Sequence, residues 1–153
     1  MLWDDIRMYQ TGHFFGLISS FNPQMTQTAT VINNGTDATY TDGVSGTIHM
    51  KTNRKIDTDF ETIFGINFLN TELFTNIPLN QKSSLQLAAR KSLDDFIRTP
   101  TYEVYFERIT QDTEIESNTS EIINSEQEFD FYDASLRWLY NPTDNDFFRF
   151  NFI

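Results

Sequence analysis

Apolar and polar residues alternate most clearly near the C-terminal end of the chain. Tyr132, Ala134, Leu136, Trp138 and Tyr140 share one face of an extended segment, and Asp133, Ser135 and Arg137 share the other. A turn-rich stretch, Asn141-Pro142-Thr143-Asp144-Asn145-Asp146, follows. Phe148, Phe150 and Phe152 then face one way, and Arg149 and Asn151 the other. A period of two is the signature of β-strands.

Three more strands are predicted upstream. In 59–68, Phe60, Thr62, Phe64, Ile66 and Phe68 oppose Asp59, Glu61, Gly65 and Asn67. In 71–79, Leu73, Ile77 and Leu79 oppose Glu72 and Asn76. Asn80-Gln81-Lys82-Ser83 reads as a turn. In 84–93, Leu85, Leu87, Ala89 and Leu93 oppose Ser84, Gln86, Arg90 and Ser92. Ile63, Phe74 and Lys91 sit on the wrong face of this scheme.

Residues 1–52 differ in character. They are rich in Gly, Asn and Thr, with short apolar stretches at Phe14–Ile18, Val31-Ile32 and Thr47–Met50 and turn signals at Asn34-Gly35 and Asp42-Gly43. They predict a small mixed α/β unit, joined to the strands by a polar connector from Thr52 to Thr58. Residues 94–129 are polar and acidic, carrying Glu103, Glu107, Asp112, Glu114, Glu116, Glu121, Glu126 and Glu128. They read as a long loop, with Tyr102–Glu107 extending a strand.

Each predicted strand but the last has about the 9–11 residues that cross a bilayer at a barrel tilt. A strand with one aromatic face and one charged face suits a membrane β-barrel, which meets lipid outside and water inside. The mean hydropathy of -0.44 averages the two faces and conceals this. No apolar run approaches the roughly 20 residues of a membrane helix. Five strands fall short of the about eight that close a small barrel. Met1–Asp5 has neither the basic start nor the apolar core of a leader peptide. Both points lead us to expect a piece of a longer protein.

The net charge of -11 argues against a nucleic-acid partner, which requires a basic stripe. The absence of cysteine excludes disulfides and thiolate metal sites. No nucleophile–His–acid set or phosphate-binding glycine loop is legible, so an enzyme is not expected, and neither is a cofactor or metal. The two histidines, His13 and His49, read as structural, His13 beside Phe14 and His49 in a strand. Asp4 and Asp5 read as loop residues. Asn34-Gly35-Thr36 and Asn118-Thr119-Ser120 match a glycosylation sequon and read as chance.

Three N-terminal runs carry a resemblance: Leu2–Tyr9, Gly12-His13-Phe14-Phe15-Gly16 through Ser20-Phe21-Asn22-Pro23, and Asp42-Gly43-Val44-Ser45-Gly46-Thr47-Ile48-His49-Met50-Lys51-Thr52. In this order they resemble the second half of the plug domain of TonB-dependent outer-membrane receptors of the Bacteroidetes type. Asn76-Ile77-Pro78-Leu79, Ala89-Arg90-Lys91-Ser92 and Phe131–Leu136 resemble early barrel strands of that family. Asp5 stands where the family has Gly, and Ala38–Gly43 departs from its "A-R-Y-G" run.

The resemblance implies the end of a plug at 1–52, then the first strands of a transmembrane barrel at 53–153, the acidic 94–129 being an extracellular loop. The whole barrel would have about 22 strands. The parent protein would take up a scarce nutrient across the cell outer membrane, driven by the proton gradient through the TonB complex. Its partners would be that complex, outer-membrane lipid and an unidentified small ligand. Arg90, Arg137 and Arg149 would then face the lumen. The preferred reading for them is a solvated wall; the alternative is contact with plug carboxylates or passing substrate. Trp138 and Tyr140 would suit an interfacial aromatic girdle. A barrel without a plug and a soluble β-rich binding domain remain the alternatives.

Overall fold

The computed structural model describes residues 1–40, 45–93, 97–111 and 130–153, apart from the side chains of Phe15, Thr110 and Gln111. Its N-terminal part holds β1 (Leu2–Trp3), β2 (Ile6–Arg7), β3 (Gly12–His13), β4 (Ile18–Ser19), β5 (Thr26–Asn33) and β6 (Gly46–Thr52). Four of these form a sheet in the order β2-β1-β6-β5, and β3 and β4 pair separately. The β1–β6 pairing is parallel; the others are antiparallel. The expected α/β character is corrected here. The described residues of 1–52 hold strands and two 3-10 turns, Phe14–Gly16 and Pro23–Met25, with no α-helix. The apolar stretches are too short, and too interrupted by Gly, Asn and Pro, to propagate a helix.

Asn22 opens the second of these turns. Its side chain accepts from the Gln24 amide at 2.9 Å, with Pro23 at the first position of the turn. The turn delivers Met25 into the core. Asn22→Ala is expected to cost about 1 kcal/mol, the usual loss for a deleted cap. A urea midpoint shift measures it; an unchanged midpoint would mean that Pro23 and Met25 hold the turn unaided.

The second part is an antiparallel meander of five strands, in the order β11-β10-β9-β8-β7. They are β7 (Glu61–Ile66), β8 (Asn70–Asn80), β9 (Ser83–Ser92), β10 (Tyr132–Tyr140) and β11 (Phe148–Phe152). Asn side chains make two of the turns. Asn67 accepts from the Leu69 and Asn70 amides, and Asn80 from the Lys82 amide, so each bends the chain with its own side chain. One end of the sheet carries the 81–82 turn and the 141–147 link, tied by Lys82 Nζ donating to the Pro142 carbonyl at 2.8 Å.

The other end is covered by a helix, α1 (Pro100–Gln111). This corrects the extended reading of Tyr102–Glu107. Thr99 is the N-cap, its hydroxyl accepting from the Tyr102 amide, and Pro100 takes the first helical position. Tyr102, Tyr105, Phe106 and Ile109 recur at helical spacing and pack with Ile18, Phe131, Phe14 and Leu69. Glu103 and Glu107 lie on this helix. The other acidic positions of 94–129 named above, Asp42-Gly43 and the second sequon lie outside the described residues.

The main core lies between the two parts. Trp3, Phe21, Met25 and Met50 of the N-terminal part meet Phe74 and Ala88 of the meander, with Ile63 at the margin. Trp3 and Phe21 stack with ring centroids 4.5 Å apart. Two residues that broke the alternation, Ile63 and Phe74, are thereby explained. They are apolar on a polar face because they are where that face touches the N-terminal core. The third, Lys91, lies exposed at the helix end of β9, opposite Tyr132.

Candidate functional site

The meander has inverted polarity. Its inner face, against the N-terminal part, buries Asn76, Ser84, Gln86, Arg90, Ser92 and Arg137. Its outer face exposes Phe64, Ile66, Leu73, Leu87, Trp138, Phe148, Phe150 and Phe152. A water-soluble sheet on a core does the reverse. The outer apolar patch spans all five strands, and an apolar surface of this extent is a contact surface for something. Within it, a shallow groove of ≈ 410 Å³ runs over the small residues Ala89 and Ala134, flanked by Leu73, Leu87, Leu136 and Phe152. Trp138 stacks with Tyr140 and Phe150 at 5.8 and 5.3 Å, and Tyr140 with Phe148 at 6.3 Å. These rings gather toward the 141–147 end of the face.

Register organises the inner face into cross-strand rows. Glu72, Arg90 and Asp133 stand opposite one another on β8, β9 and β10. Arg90 Nε and Nη2 reach the two Asp133 carboxylate oxygens at 3.0 and 2.7 Å, a bidentate fork. Arg90 also donates to the Ser19 carbonyl of β4. His13 Nε2 lies 3.2 Å from Asp133. One arginine therefore binds its neighbouring strand and the N-terminal part together. The His13 ring lies 6.4 Å from Phe14 and 5.2 Å from Phe131.

The next row is apolar, Phe74 and Ala88, with Ser135. The row after it is Asn76, Gln86, Arg137 and Asn151. Here Arg137 donates to Gln86 and Gln86 to Asn76, each at 3.4 Å, and Asn76 donates to the Asp59 carbonyl at 2.8 Å. Arg137 is 1 % exposed. Its Nη2 lies 3.6 Å from Asp4 of the β1–β2 turn. That turn puts both Asp4 and Asp5 at positive φ, 46° and 71°, which Asp tolerates better than most residues. Asp4 is held in turn by the Thr52 amide and hydroxyl. Beside it, Asp5 takes His49 at 3.1 Å and Arg54 at 3.5 Å. Partial burial, then the Asp5 and Asp37 carboxylates, raise the nearby Tyr40 phenol above its ordinary range.

The three arginines singled out in the sequence all lie on the inner face, in unlike settings. Arg90 and Arg137 are buried, which corrects the solvated-wall reading for both. Around Arg90 a carboxylate and a carbonyl replace water, as burial of a charge requires; among the described residues Arg137 has only the long bond to Gln86 and the Asp4 carboxylate at 3.6 Å. Arg149 is half-buried and lines a cleft of ≈ 300 Å³ with Arg54, Asn141 and Phe147. Asp4 and Asp133, read from the sequence as a loop residue and a plain polar-face residue, are the partners that the alternation could not identify. Pairing needs the strand register for Asp133 and the approach of the N-terminal part for Asp4.

Among the described residues no group of three or more His, Asp or Glu side chains converges to hold a metal. No helix among them is long and apolar enough to cross a membrane, which leaves strands untouched. Comparison with protein-family models, with curated proteins and with solved structures finds no match.

Proposed function

We propose that this chain is part of an outer-membrane receptor that takes up a scarce nutrient in a TonB-dependent way, residues 1–52 belonging to its plug and 53–153 to its barrel wall. The observation that carries this reading is the inverted polarity of the meander. Its apolar face is exposed along all five strands while arginine, glutamine, asparagine and serine are buried behind it. Lipid on the outside and a hydrated filling on the inside is an environment that stabilises both faces. The 9–11 residues of β8, β9 and β10 match a tilted bilayer crossing. The N-terminal part supports the plug assignment. It meets the inner side through polar contacts and two modest apolar clusters, a contact that can loosen without exposing a large core. Transport and the TonB partner rest on the sequence resemblance.

The test uses the two tryptophans, Trp3 in the inner core and Trp138 on the outer face. With Trp3→Phe, fluorescence reports Trp138 alone. In vesicles containing brominated lipids, Trp138 is expected to be strongly quenched, while a Trp138→Phe variant that keeps Trp3 is not. A chain that stays monomeric in buffer without detergent, with Trp138 unquenched by lipid, would overturn the membrane reading and leave the soluble β-domain.

A further inference from the structure

A cluster of cationic side chains stands at the 141–147 end of the inner face, apart from the Arg90–Asp133 row. Arg54 and Arg149 both line the ≈ 300 Å³ cleft, with Asn141 and Phe147. Arg137 lies one inner-face row from Arg149, since Leu139 pairs with Arg149 and Arg137 with Asn151, and both cleft arginines repel its charge. Three arginines thus gather at this end of the inner face, in a chain whose net charge is -11.

The carboxylates nearby do not use up these donors. Asp5 divides itself between Arg54 and His49, and its pair with Arg54 is more than half exposed on both sides, a weak contact. Asp4 sits 3.6 Å from Arg137 Nη2, beyond hydrogen-bond reach, and gives its short contacts to Thr52. Arg137 Nε and Nη2 are buried with no hydrogen-bond partner. The Asn151 side-chain oxygen, directly across the ladder, is in the same state, and so is Ser84 Oγ one row on. On the neighbouring loop, Asp146 accepts from the Thr143 hydroxyl at 2.6 Å. Among the described residues no carboxylate comes within ion-pair distance of Arg149. Buried guanidinium nitrogens without a hydrogen bond are rare in folded proteins; Arg137 does not line the cleft, so it is its incompletely compensated charge that adds to the two arginines there.

We propose that Arg54 and Arg149, backed by the buried Arg137, form a binding site for a small oxyanion of the phosphate or carboxylate class. Two guanidinium forks on one cleft suit a group with several acceptor oxygens, which a planar fork grips at two points. Asn141 adds a neutral donor, and Phe147 walls one side. The cleft volume accommodates an anion of a few heavy atoms together with water. The site stands on its own geometry, whether or not the chain serves in transport.

Calorimetric titration of the chain in detergent micelles tests this, with inorganic phosphate in one arm, citrate in a second and chloride in a third. Saturable one-to-one binding of phosphate or citrate is expected, and the preferred arm identifies the anion class. Arg149→Gln and Arg54→Gln should each weaken it about tenfold, the loss of one charge-assisted contact. Arg149→Lys, which keeps the charge and loses the fork, should fall between. Strand circular dichroism of each variant establishes that it folds. Saturable binding that survives both glutamine variants, equal competition by chloride, or no saturable binding of either oxyanion would overturn the site.

Discussion

Arg90→Ala should destabilise the chain by about 3–5 kcal/mol, the loss that follows when one partner of a buried ion pair is removed. Arg90 is 8 % exposed, and its fork to Asp133 and its bond to the Ser19 carbonyl leave little room for water. Truncation strands a carboxylate whose only other side-chain partner among the described residues is His13. The β3–β4 pair also loses the Ser19 tie to the sheet and keeps only the weaker His13–Asp133 contact among its polar ties in the described residues. The double variant Arg90→Met with Asp133→Leu should recover most of the loss, because no charge is left to solvate. Denaturant unfolding in lipid vesicles, run as a double-mutant cycle, measures both terms. Hydrogen exchange should show Gly12–Ser19 opening first in Arg90→Ala. A single-variant cost below about 1 kcal/mol would mean that the pair behaves as an exposed one and that the seam between the two parts is wet.

Leu87→Lys should cost about 2–4 kcal/mol in a bilayer, the depth-dependent cost of a cation near the middle of a barrel's lipid face. Leu87 is central on β9 and lies on the outer face beside the Ala89–Ala134 groove. The same change on a water-facing strand should stay within about 0.5 kcal/mol either way. Gln27→Lys, on the exposed face of β5, is the matching control and should be silent. Unfolding from vesicles compares the two substitutions directly. If Leu87→Lys is neutral, or improves solubility without detergent, the outer face meets water and the receptor reading fails. This experiment separates membrane from soluble readings more sharply than any inner-face variant, because only the solvent on the outer side differs between them.

Much of the meander was legible in the chain itself. Alternation at Tyr132–Tyr140 and Phe148–Phe152 fixes which side chains share a face, since a strand offers only two faces. Asn80-Gln81-Lys82 marks a turn because the Asn80 side chain supplies its own acceptor. The helix at Pro100–Gln111 was also signalled, by Thr99-Pro100 and by aromatic residues at helical spacing. The acidity of 94–129 masks that signal, because a run rich in Glu and Asp has the composition of a solvated loop. The N-terminal part was less legible: strands of two residues leave no period to detect, and β1 and β6 pair in parallel across more than 40 intervening residues.

The sequence by itself determined the two faces of each strand, the order of the strands along the chain, and the inverted balance of aromatic and charged positions. These are local properties, set by backbone geometry and by side-chain chemistry at spacing two. Only the tertiary structure decided the partners. Strand register places Asp133 opposite Arg90 and Gln86 opposite Arg137. The approach of the N-terminal part puts Asp4 near Arg137, Ser19 against Arg90, and Trp3 and Phe21 beside Phe74. A periodic pattern states which way a side chain points; what it meets there depends on segments distant in the chain, brought together by burial of apolar surface and by the cost of leaving buried polar groups without partners.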